Sequence, residues 1–346
     1  MARGAVVVYF SRLGGRLRCD QKIMLDANAQ LIAKLKGCDF RGHYGATHDY
    51  SSSIFFVPDD VLLREEASEL GIRGPGDFYG GVVPHPFVKT KAITHQLVEG
   101  DARRPQGWSA AFAEKVRDVT LPGYTVFNAD DARLAARRML DRGPVRVKQP
   151  LGASGRGQTL VTAADQLERF LEQFDADEMA TYGLVLEENL REVRTLSVGH
   201  IAFDSLTIAY YGTQRRVQDN DGRAIYGDSD LDCLRGGWEA LKALALTPES
   251  RAAVAQAKFH DQNGRRRSGV LESSWRAGGA SSAELAALAE FAQNPTLQIV
   301  EVSAVEEFGR DHEPPADAII HFAGEDPQLG PLLRYTVVKR KKSHRG

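Results

Sequence analysis

Residues that could carry out chemistry first appear together in VRVKQPLGASGRGQTLV, the stretch from Val145 to Val161. Here Lys148 comes just before a loop that contains Gly152, Gly155 and Gly157. Glycine has no Cβ, so backbone N–H groups of such a loop can point at phosphate oxygens. A lysine beside the loop adds a compact positive charge. The stretch is therefore a candidate phosphate-binding loop.

Three kinds of glycine loop can be compared with this stretch. A P-loop requires GxxxxGK[ST], but Gln158 stands where its lysine should be. A Rossmann fingerprint opens a helix, whereas the following QTLVT consists of strand formers. A loop that closes a β-hairpin over phosphates fits the apolar runs on both sides. A flexible hairpin turn with a solvated lysine fits equally well, and this stretch alone leaves both interpretations open.

A second motif follows about one helix later, where the apolar run LVL leads directly into EENL. An apolar strand that ends in paired carboxylates suits the edge of a cleft. Its backbone could bond to adenine, and a carboxylate could accept ribose hydroxyls. A strand that ends at the surface would also end in acids. The residues concerned are Glu187, Glu188, Asn189 and Leu190.

The third motif is SGVLESSWRAGGASSAEL. Glu272 and Ser274 alternate onto one face of the predicted strand, where they could ligate Mg²⁺ beside phosphates. Arg276 could bind a phosphoryl group or a carboxylate bidentately. Gly278 and Gly279 allow close backbone approach before a helix that starts near Ser281 or Ser282, and the N-terminus of that helix could bind an anion. An edge strand with a Glu–Arg pair and a helix cap is the alternative.

Further charged residues crowd YYGTQRRVQDNDGRAIYGDSDLDCLRGG. We interpret most of this segment as a polar surface loop. Arg215 and Arg235 are the exceptions, and we expect them to contact an anionic substrate. We interpret GRDHEPP as a solvated loop, and His95 as a packed or surface residue.

The elements that must position these residues fall into two blocks. Strand, helix, strand and helix follow one another in AVVVYF, IMLDANAQLIAKL, SIFFVP and REEASELGI, which predicts a doubly wound α/β lobe. FYGGVVPHPFVKTKAITHQLV leads out of this lobe, and we expect KTKAITHQLV to be helical. From Gly123 the order is strand, helix, strand, glycine loop, strand, helix and strand, followed by a long hairpin. A chain of 346 residues is expected to form two or three lobes.

Composition excludes several classes of function. Lys and Arg number 44 against 46 Asp and Glu, so the net charge of −2 creates no field that favours nucleic acid. The 3 cysteines form no CxxC pair, which suits a reducing compartment. No stretch approaches the ~20 apolar residues of a membrane span. We expect a soluble cytoplasmic protein without nucleic-acid or membrane partners, and its oligomeric state stays open.

The order of these motifs resembles the ATP-grasp superfamily, which includes biotin carboxylases and D-alanine–D-alanine ligases. More narrowly, FYGGVVPHPFVKTKAITH, LEENLREV, YYGTQR and LESSWRAGGAS resemble an uncharacterised proteobacterial family described as biotin-carboxylase-like. The resemblance implies an α/β chain of three parts. They are an N-terminal doubly wound lobe and linker over residues 1–121, a lid subdomain with a glycine hairpin over 122–188, and a β-rich C-terminal subdomain over 189–346.

The resemblance also implies site residues. Arg276 and Lys148 would be catalytic, and Glu272 with Ser274 would hold Mg²⁺. Small-molecule substrates would contact Arg215, Arg235, Arg276, Gly278 and Gly279. ATP would contact Lys91, Lys148, Gly152, Ala153, Ser154, Gly155, Arg156, Gly157, Glu187, Glu188, Asn189, Leu190 and Glu192.

The chemistry implied is ATP-dependent ligation of a carboxylate to an amine or other nucleophile through an acyl phosphate, with Mg-ATP. The chain departs from the family pattern at three places. Ser274 replaces the usual asparagine, simple spacing puts the ribose-binding acid nearer Arg194 than Glu192, and Asp261 is the one acid in AKFHDQNGRRRSGV. These departures keep an alternative open, in which the protein binds ATP or ADP without ligating.

Overall fold

The computed structural model describes residues 4–15, 17–50, 53–152, 156–191, 193, 195–244, 258–260, 266–268 and 276–343. The strands are β1 (Ala5–Tyr9), β2 (Asp39–His43), β3 (Ile54–Pro58), β4 (Leu62–Leu63), β5 (Val82–Val83), β6 (Gly123–Val126), β7 (Val145–Lys148), β8 (Gln158–Val161), β9 (Leu184–Glu188), β10 (Thr195–Phe203), β11 (Leu206–Gln218), β12 (Ala224–Arg235), β13 (Lys258–His260), β14 (Arg266–Ser268), β15 (Leu297–Phe308), β16 (Ile319–Asp326) and β17 (Gly330–Ser343).

Helices connect many of these strands. The α-helices are α1 (Cys19–Lys36), α2 (Arg64–Glu69), α3 (Ala110–Val116), α4 (Ala129–Leu140), α5 (Ala164–Gln173), α6 (Ala176–Tyr182), α7 (Trp238–Ala243) and α8 (Ser281–Gln293), and the 3-10 helices are Pro86–Lys89, Lys91–Thr94 and Arg117–Val119. Within the described residues, no helix has both the length and the apolar character needed to cross a bilayer.

The chain divides into two compact units. Unit 1 consists of residues 1–82, 195–254 and 275–346, and unit 2 consists of residues 83–194 and 255–274. The predicted lid region, residues 122–188, therefore lies inside unit 2. The preceding segment, from residue 83, belongs to the same unit.

Unit 1 begins with the predicted α/β layer. Strands β1, β2 and β3 form a parallel sheet in the order β2-β1-β3. Continuous apolar sequence puts Val6, Val7 and Val8 at 0–1% exposure, as expected for a parallel strand covered on both faces. Helix α1 buries Ala29 and Ile32, and its end at Gly37 adopts φ 64°.

The rest of unit 1 is a six-stranded antiparallel sheet in the order β10-β11-β12-β15-β17-β16. Leu285, Leu288 and Phe291 of α8 are almost fully buried in the core that this sheet shares with β1 and α1. The polar segment predicted as a surface loop is instead the β11–β12 hairpin, whose turn spans residues 219–223. Cross-strand pairing holds this hairpin although its outer end is polar, so the loop interpretation was wrong.

Unit 2 is built on a four-stranded antiparallel sheet in the order β6-β9-β7-β8. Helices α4 and α5 pack on one face, where Val147, Leu167 and Leu186 are at most 2% exposed. Strands β7 and β8 pair from Val145 opposite Val161 to Lys148 opposite Gln158. The glycine loop therefore closes a β-hairpin, as one of the three interpretations predicted, and it is neither a P-loop nor a Rossmann loop.

The segment KTKAITHQLV does not form the expected α-helix. It makes one 3-10 turn, Lys91–Thr94, which Thr90 caps by accepting from the Ala92 N–H. The chain then runs beside β6, because Thr125 donates its hydroxyl to the Ala92 carbonyl and its N–H to the Gln96 carbonyl. These contacts with β6 stop the helix after one turn.

Helix α4 offers a test of local stability. Asn128 Oδ1 accepts the Asp131 N–H at 2.8 Å and caps the start of the helix. We expect Asn128→Ala to lower the free energy of unfolding by about 1 kcal/mol in urea denaturation followed by circular dichroism. Asn128→Ser keeps an acceptor and should cost less. Equal losses in the two variants would contradict the capping role.

Candidate functional site

Two buried lysines of unit 2 lie at the base of the glycine hairpin. Lys148 is the last residue of β7, and its Nζ lies 2.5 Å from Oε1 of Glu187 on β9. Lys91 opens a 3-10 turn, and its Nζ donates to the Gly152 carbonyl at 2.9 Å. Lys91 and Lys148 are 8% and 5% exposed. Lys148 is therefore not a solvated lysine beside a flexible turn.

The glycines are required by the backbone of the hairpin. The Gln149 N–H donates to the Gly157 carbonyl at 2.8 Å, and Gly157 has φ 71°. A Cβ on Gly152 would lie 2.4 Å from the Arg156 carbonyl oxygen, which no side chain could tolerate. The central loop residues, Ala153, Ser154 and Gly155, lie outside the described residues.

Alternation along β9 separates the two carboxylates of the second motif. Glu187 is opposite Arg146 in the sheet, so it shares a face with Lys148. Glu188 is opposite Val145 and points to the face that carries α4 and α5. The paired acids therefore serve two different surfaces.

The residues after β9 are held by neighbouring backbone and side chains. The Asn189 Oδ1 accepts from Nε and Nη2 of Arg146 at 3.1 and 2.5 Å, and the Asn189 N–H donates to the Pro144 carbonyl. Leu190 is partly exposed, and Glu192 and Arg194 lie outside the described residues. The ATP contacts proposed for this run stay predictions.

His95 lies behind the ion pair. Its Nε2 is 3.0 Å from the Leu121 carbonyl and 3.9 Å from Glu187, and its Nδ1 is 2.8 Å from the Thr94 hydroxyl. Burial lowers the pKa of His95 below its ordinary value, although Glu187 opposes this shift. Sequence reasoning expected a packed or surface histidine and missed the contact with Glu187. No local signal marks this contact, because Glu187 lies about ninety residues further along the chain.

The described part of the third motif lies in unit 1. Arg276 Nε is 3.5 Å from Oδ1 of Asp60, which follows β3 at the carboxyl end of the parallel sheet. Helix α8 starts at Ser281, as expected, and the Ser281 Oγ accepts the Gly278 N–H at 2.9 Å. A Cβ on Gly278 or Gly279 would touch nothing within 4 Å, so packing does not demand glycine there.

The metal ligands cannot be placed in the same way. Glu272 and Ser274 lie outside the described residues. Across the described ranges, no three His, Cys, Asp or Glu side chains are grouped to hold a metal ion.

The two arginines predicted to contact substrate have different surroundings. Arg235 donates to the backbone carbonyls of Phe291, Asn294 and Leu297, which terminate α8 and lead into β15. Backbone oxygens take its Nε and Nη2 donors, so Arg235 has a structural role, and the expected anion contact stays a prediction. Arg215 is half exposed and lies 3.1 and 3.2 Å from Asp228 and Asp230.

The sequence matches the model of a described protein family over most of its length. The family model described as Protein of unknown function (DUF3182) matches residues 20–263 and 260–336. The chain belongs to this family. No curated protein matched the sequence.

Solved structures show the fold. The biotin carboxylase domain of Hydrogenobacter thermophilus 2-oxoglutarate carboxylase is similar with a TM-score of 0.53 and 12% identity, over 98% of this chain and 87% of that chain. Together with the lobes described above, this likeness establishes an ATP-grasp fold of mixed α/β class.

Two other structures are less similar. Phosphoribosylamine–glycine ligase of Thermotoga maritima has a TM-score of 0.47 and 12% identity, over 97% of this chain and 92% of that chain. D-Alanine–D-alanine ligase of Bacillus anthracis has a TM-score of 0.43 and 15% identity, over 84% of this chain and 93% of that chain. Neither score carries weight in the assignment.

The buried ion pair yields a double-mutant test. Either Lys148→Met or Glu187→Gln leaves a buried group without its partner, so we expect each to lower the free energy of unfolding by about 3–5 kcal/mol. The double variant should lose clearly less than the sum, as measured by chemical denaturation. Losses that add without coupling would contradict the pairing.

A comparison of variants at Arg235 and Arg215 provides a second test. Arg235→Gln removes hydrogen bonds from a charged group to the end of α8, so we expect a loss of about 1–3 kcal/mol in unfolding free energy. Arg215→Gln breaks half-exposed ion pairs and should cost less than ~1 kcal/mol. Chemical denaturation of both variants measures the difference. A larger loss for Arg215→Gln would refute the structural role of Arg235.

Proposed function

We propose that the protein is an ATP-dependent carboxylate ligase of the ATP-grasp type, which joins a small-molecule carboxylate to an amine or other nucleophile. The observation that carries the proposal is the pair of buried lysines at the base of the glycine hairpin. Lys91 and Lys148 come from separate segments, and neither hairpin formation nor core packing requires an ammonium group at both positions.

The groups present in unit 2 suit a nucleotide triphosphate. An ammonium group has three donors, so Lys148 can bind Glu187 and still donate to a phosphate oxygen. Lys91 holds the Gly152 carbonyl and so fixes the start of the loop. In this proposal the loop amides and the two lysines bind the phosphates, and residues 187–190 lie along the adenine and ribose. The biotin carboxylase domain named above was crystallised with MgADP and bicarbonate, which supports this choice.

The proposed reaction has two steps. A carboxylate oxygen attacks the γ-phosphorus, the bond from that phosphorus to the bridging oxygen breaks, and ADP leaves. An amine then attacks the acyl carbon, inorganic phosphate leaves, and the nitrogen loses a proton. Arg276 is the proposed contact for the carboxylate and would offset negative charge as the first step proceeds. Bound Mg²⁺ would neutralise phosphate charge, and Glu272 with Ser274 are its proposed ligands.

One sequence feature favours a second candidate. Ser274 stands where ATP-grasp enzymes usually have asparagine, and serine is a weaker metal ligand. A protein that binds ATP or ADP without ligating would keep the lysines and the loop and lose the metal ligands first.

Nucleotide binding is the first step to test. We expect Mg-ATP at 100 times its dissociation constant to stabilise the wild type by about 2.7 kcal/mol, seen as a raised thermal midpoint. The Lys148→Met/Glu187→Gln variant removes the ammonium without leaving a buried unpaired carboxylate, and its midpoint should no longer respond to Mg-ATP. Lys115→Met, an exposed lysine on α3, should respond like the wild type. Absence of a response in the wild type with both ATP and ADP would overturn both candidates.

Turnover separates the two candidates. Release of ADP and phosphate that requires both a carboxylate and an amine would support the ligase. Binding of Mg-ATP without turnover across a broad panel of carboxylates and amines would favour the non-ligating protein. Arg276→Gln should lower turnover, because Arg276 is proposed to contact the carboxylate. Mg-ATP should raise the thermal midpoint of this variant as much as that of the wild type.

A further inference from the structure

A cavity of about 440 Å³ lies within unit 2, at the edge of the sheet where β6 and β7 begin and β9 ends. This volume lies in the range typical of small-molecule sites. One wall comes from the end of the 3-10 turn Lys91–Thr94 and the residues that follow it. The other walls come from α3 with the 3-10 turn Arg117–Val119, and from the C-terminal end of α4.

The cavity is distinct from the lysine site. Glu188, Tyr124 and Val145 line it, and these residues lie on the sheet face that carries α4 and α5. Lys148 and Glu187 lie on the opposite face. His95 contributes to the wall of the cavity and also approaches Glu187, so the two sites share this one buried side chain.

The lining of the cavity is partly apolar and partly positively charged. Leu121, Pro122, Met139 and Val145 provide apolar wall, whereas three exposed arginines provide positive charge. The arginines are Arg117, Arg138 and Arg142. Against them the lining includes one carboxylate, that of Glu188, so its charge is net positive.

The C-terminal ends of two helices supply this charge. Arg138 and Arg142 lie at the C-terminal end of α4, where cations favour the helix dipole, and Arg138 also binds Glu99 and the Val98 carbonyl. Arg117 is the C-terminal capping residue of α3 and the first residue of the 3-10 turn Arg117–Val119. A cation there favours the dipole of α3. The dipoles of two separate helices do not require that their C-terminal arginines line the same cavity, as they do here.

We propose that this cavity binds a small organic anion, a carboxylate or phosphate that carries an aromatic or branched apolar body. The apolar body lies against Leu121, Met139 and Val145, and the anionic group lies between Arg117 and Arg142. Arginine suits this role because its planar donors match a carboxylate or phosphate in two parallel hydrogen bonds. The proposal does not depend on the nucleotide site or on ligase activity.

Isothermal titration calorimetry with 1-naphthoate and with neutral 1-naphthalenemethanol tests it, in the absence of nucleotide. The two probes have the same ring system and differ in charge. We expect naphthoate to bind at least roughly tenfold more tightly, and Arg117→Gln/Arg142→Gln to remove that advantage; tenfold corresponds to about 1.4 kcal/mol. Arg137→Gln is the matched control, since Arg137 is exposed on the same helix and does not line the cavity.

Two further variants locate the binding site. Met139→Trp puts a larger ring into the cavity and should abolish binding of both probes, with circular dichroism to verify that it folds. Lys148→Met/Glu187→Gln should bind naphthoate as the wild type does. Loss of naphthoate binding in this double variant would indicate that the anion binds at the lysine site, and it would overturn the proposal.

Three other results would also overturn the proposal. They are equal affinity for the charged and neutral probes, unchanged naphthoate affinity in Arg117→Gln/Arg142→Gln, and no heat from either probe at millimolar concentration. The first would indicate adsorption to apolar surface alone, and the second would show that Arg117 and Arg142 do not hold the anionic group.

Discussion

The site in unit 2 depends on the buried ion pair between Lys148 and Glu187. A buried ammonium or carboxylate is strongly unfavourable alone, so each requires the other in this position. The order β6-β9-β7-β8 provides the pairing, because it places β7 directly beside β9. The lysine is thereby held where β7 ends and the glycine hairpin starts, instead of extending into solvent. Lys91 fixes the loop from the other side through the Gly152 carbonyl.

In unit 1, the candidate substrate-binding residue Arg276 is positioned by a helix and not by a buried ion pair. Arg276 comes just before α8, and that helix is anchored at both ends. Near its start, Glu284 is buried and accepts the Tyr79 hydroxyl, and burial raises the pKa of Glu284. At its end, Arg235 binds three backbone carbonyls. These contacts hold both ends of the helix that follows Arg276, whose guanidinium lies beside Asp60.

Local sequence pattern was enough to predict the glycine hairpin, the helix α4 and the parallel strands of unit 1. Each of these follows from residues close in sequence, such as Asn128 three positions before the N–H that it caps. Prediction failed where distant residues decide. The partners of Arg235 lie about sixty residues away, Thr125 of β6 ends the turn after Lys91, and cross-strand pairing with the rest of the sheet keeps the polar β11–β12 segment extended. None of these contacts leaves a signal in the local sequence.

The side-chain period of a strand explains how one short run serves two surfaces. Glu187 and Glu188 are neighbours in sequence, yet one points to the lysines and the other to the arginine-lined cavity. A slip of one residue in the register of β9 would exchange them. It would also turn Leu184 and Leu186 away from the core. Burial of Leu184 and Leu186 against α4 and α5 therefore fixes the register, and the same apolar packing decides which carboxylate meets Lys148.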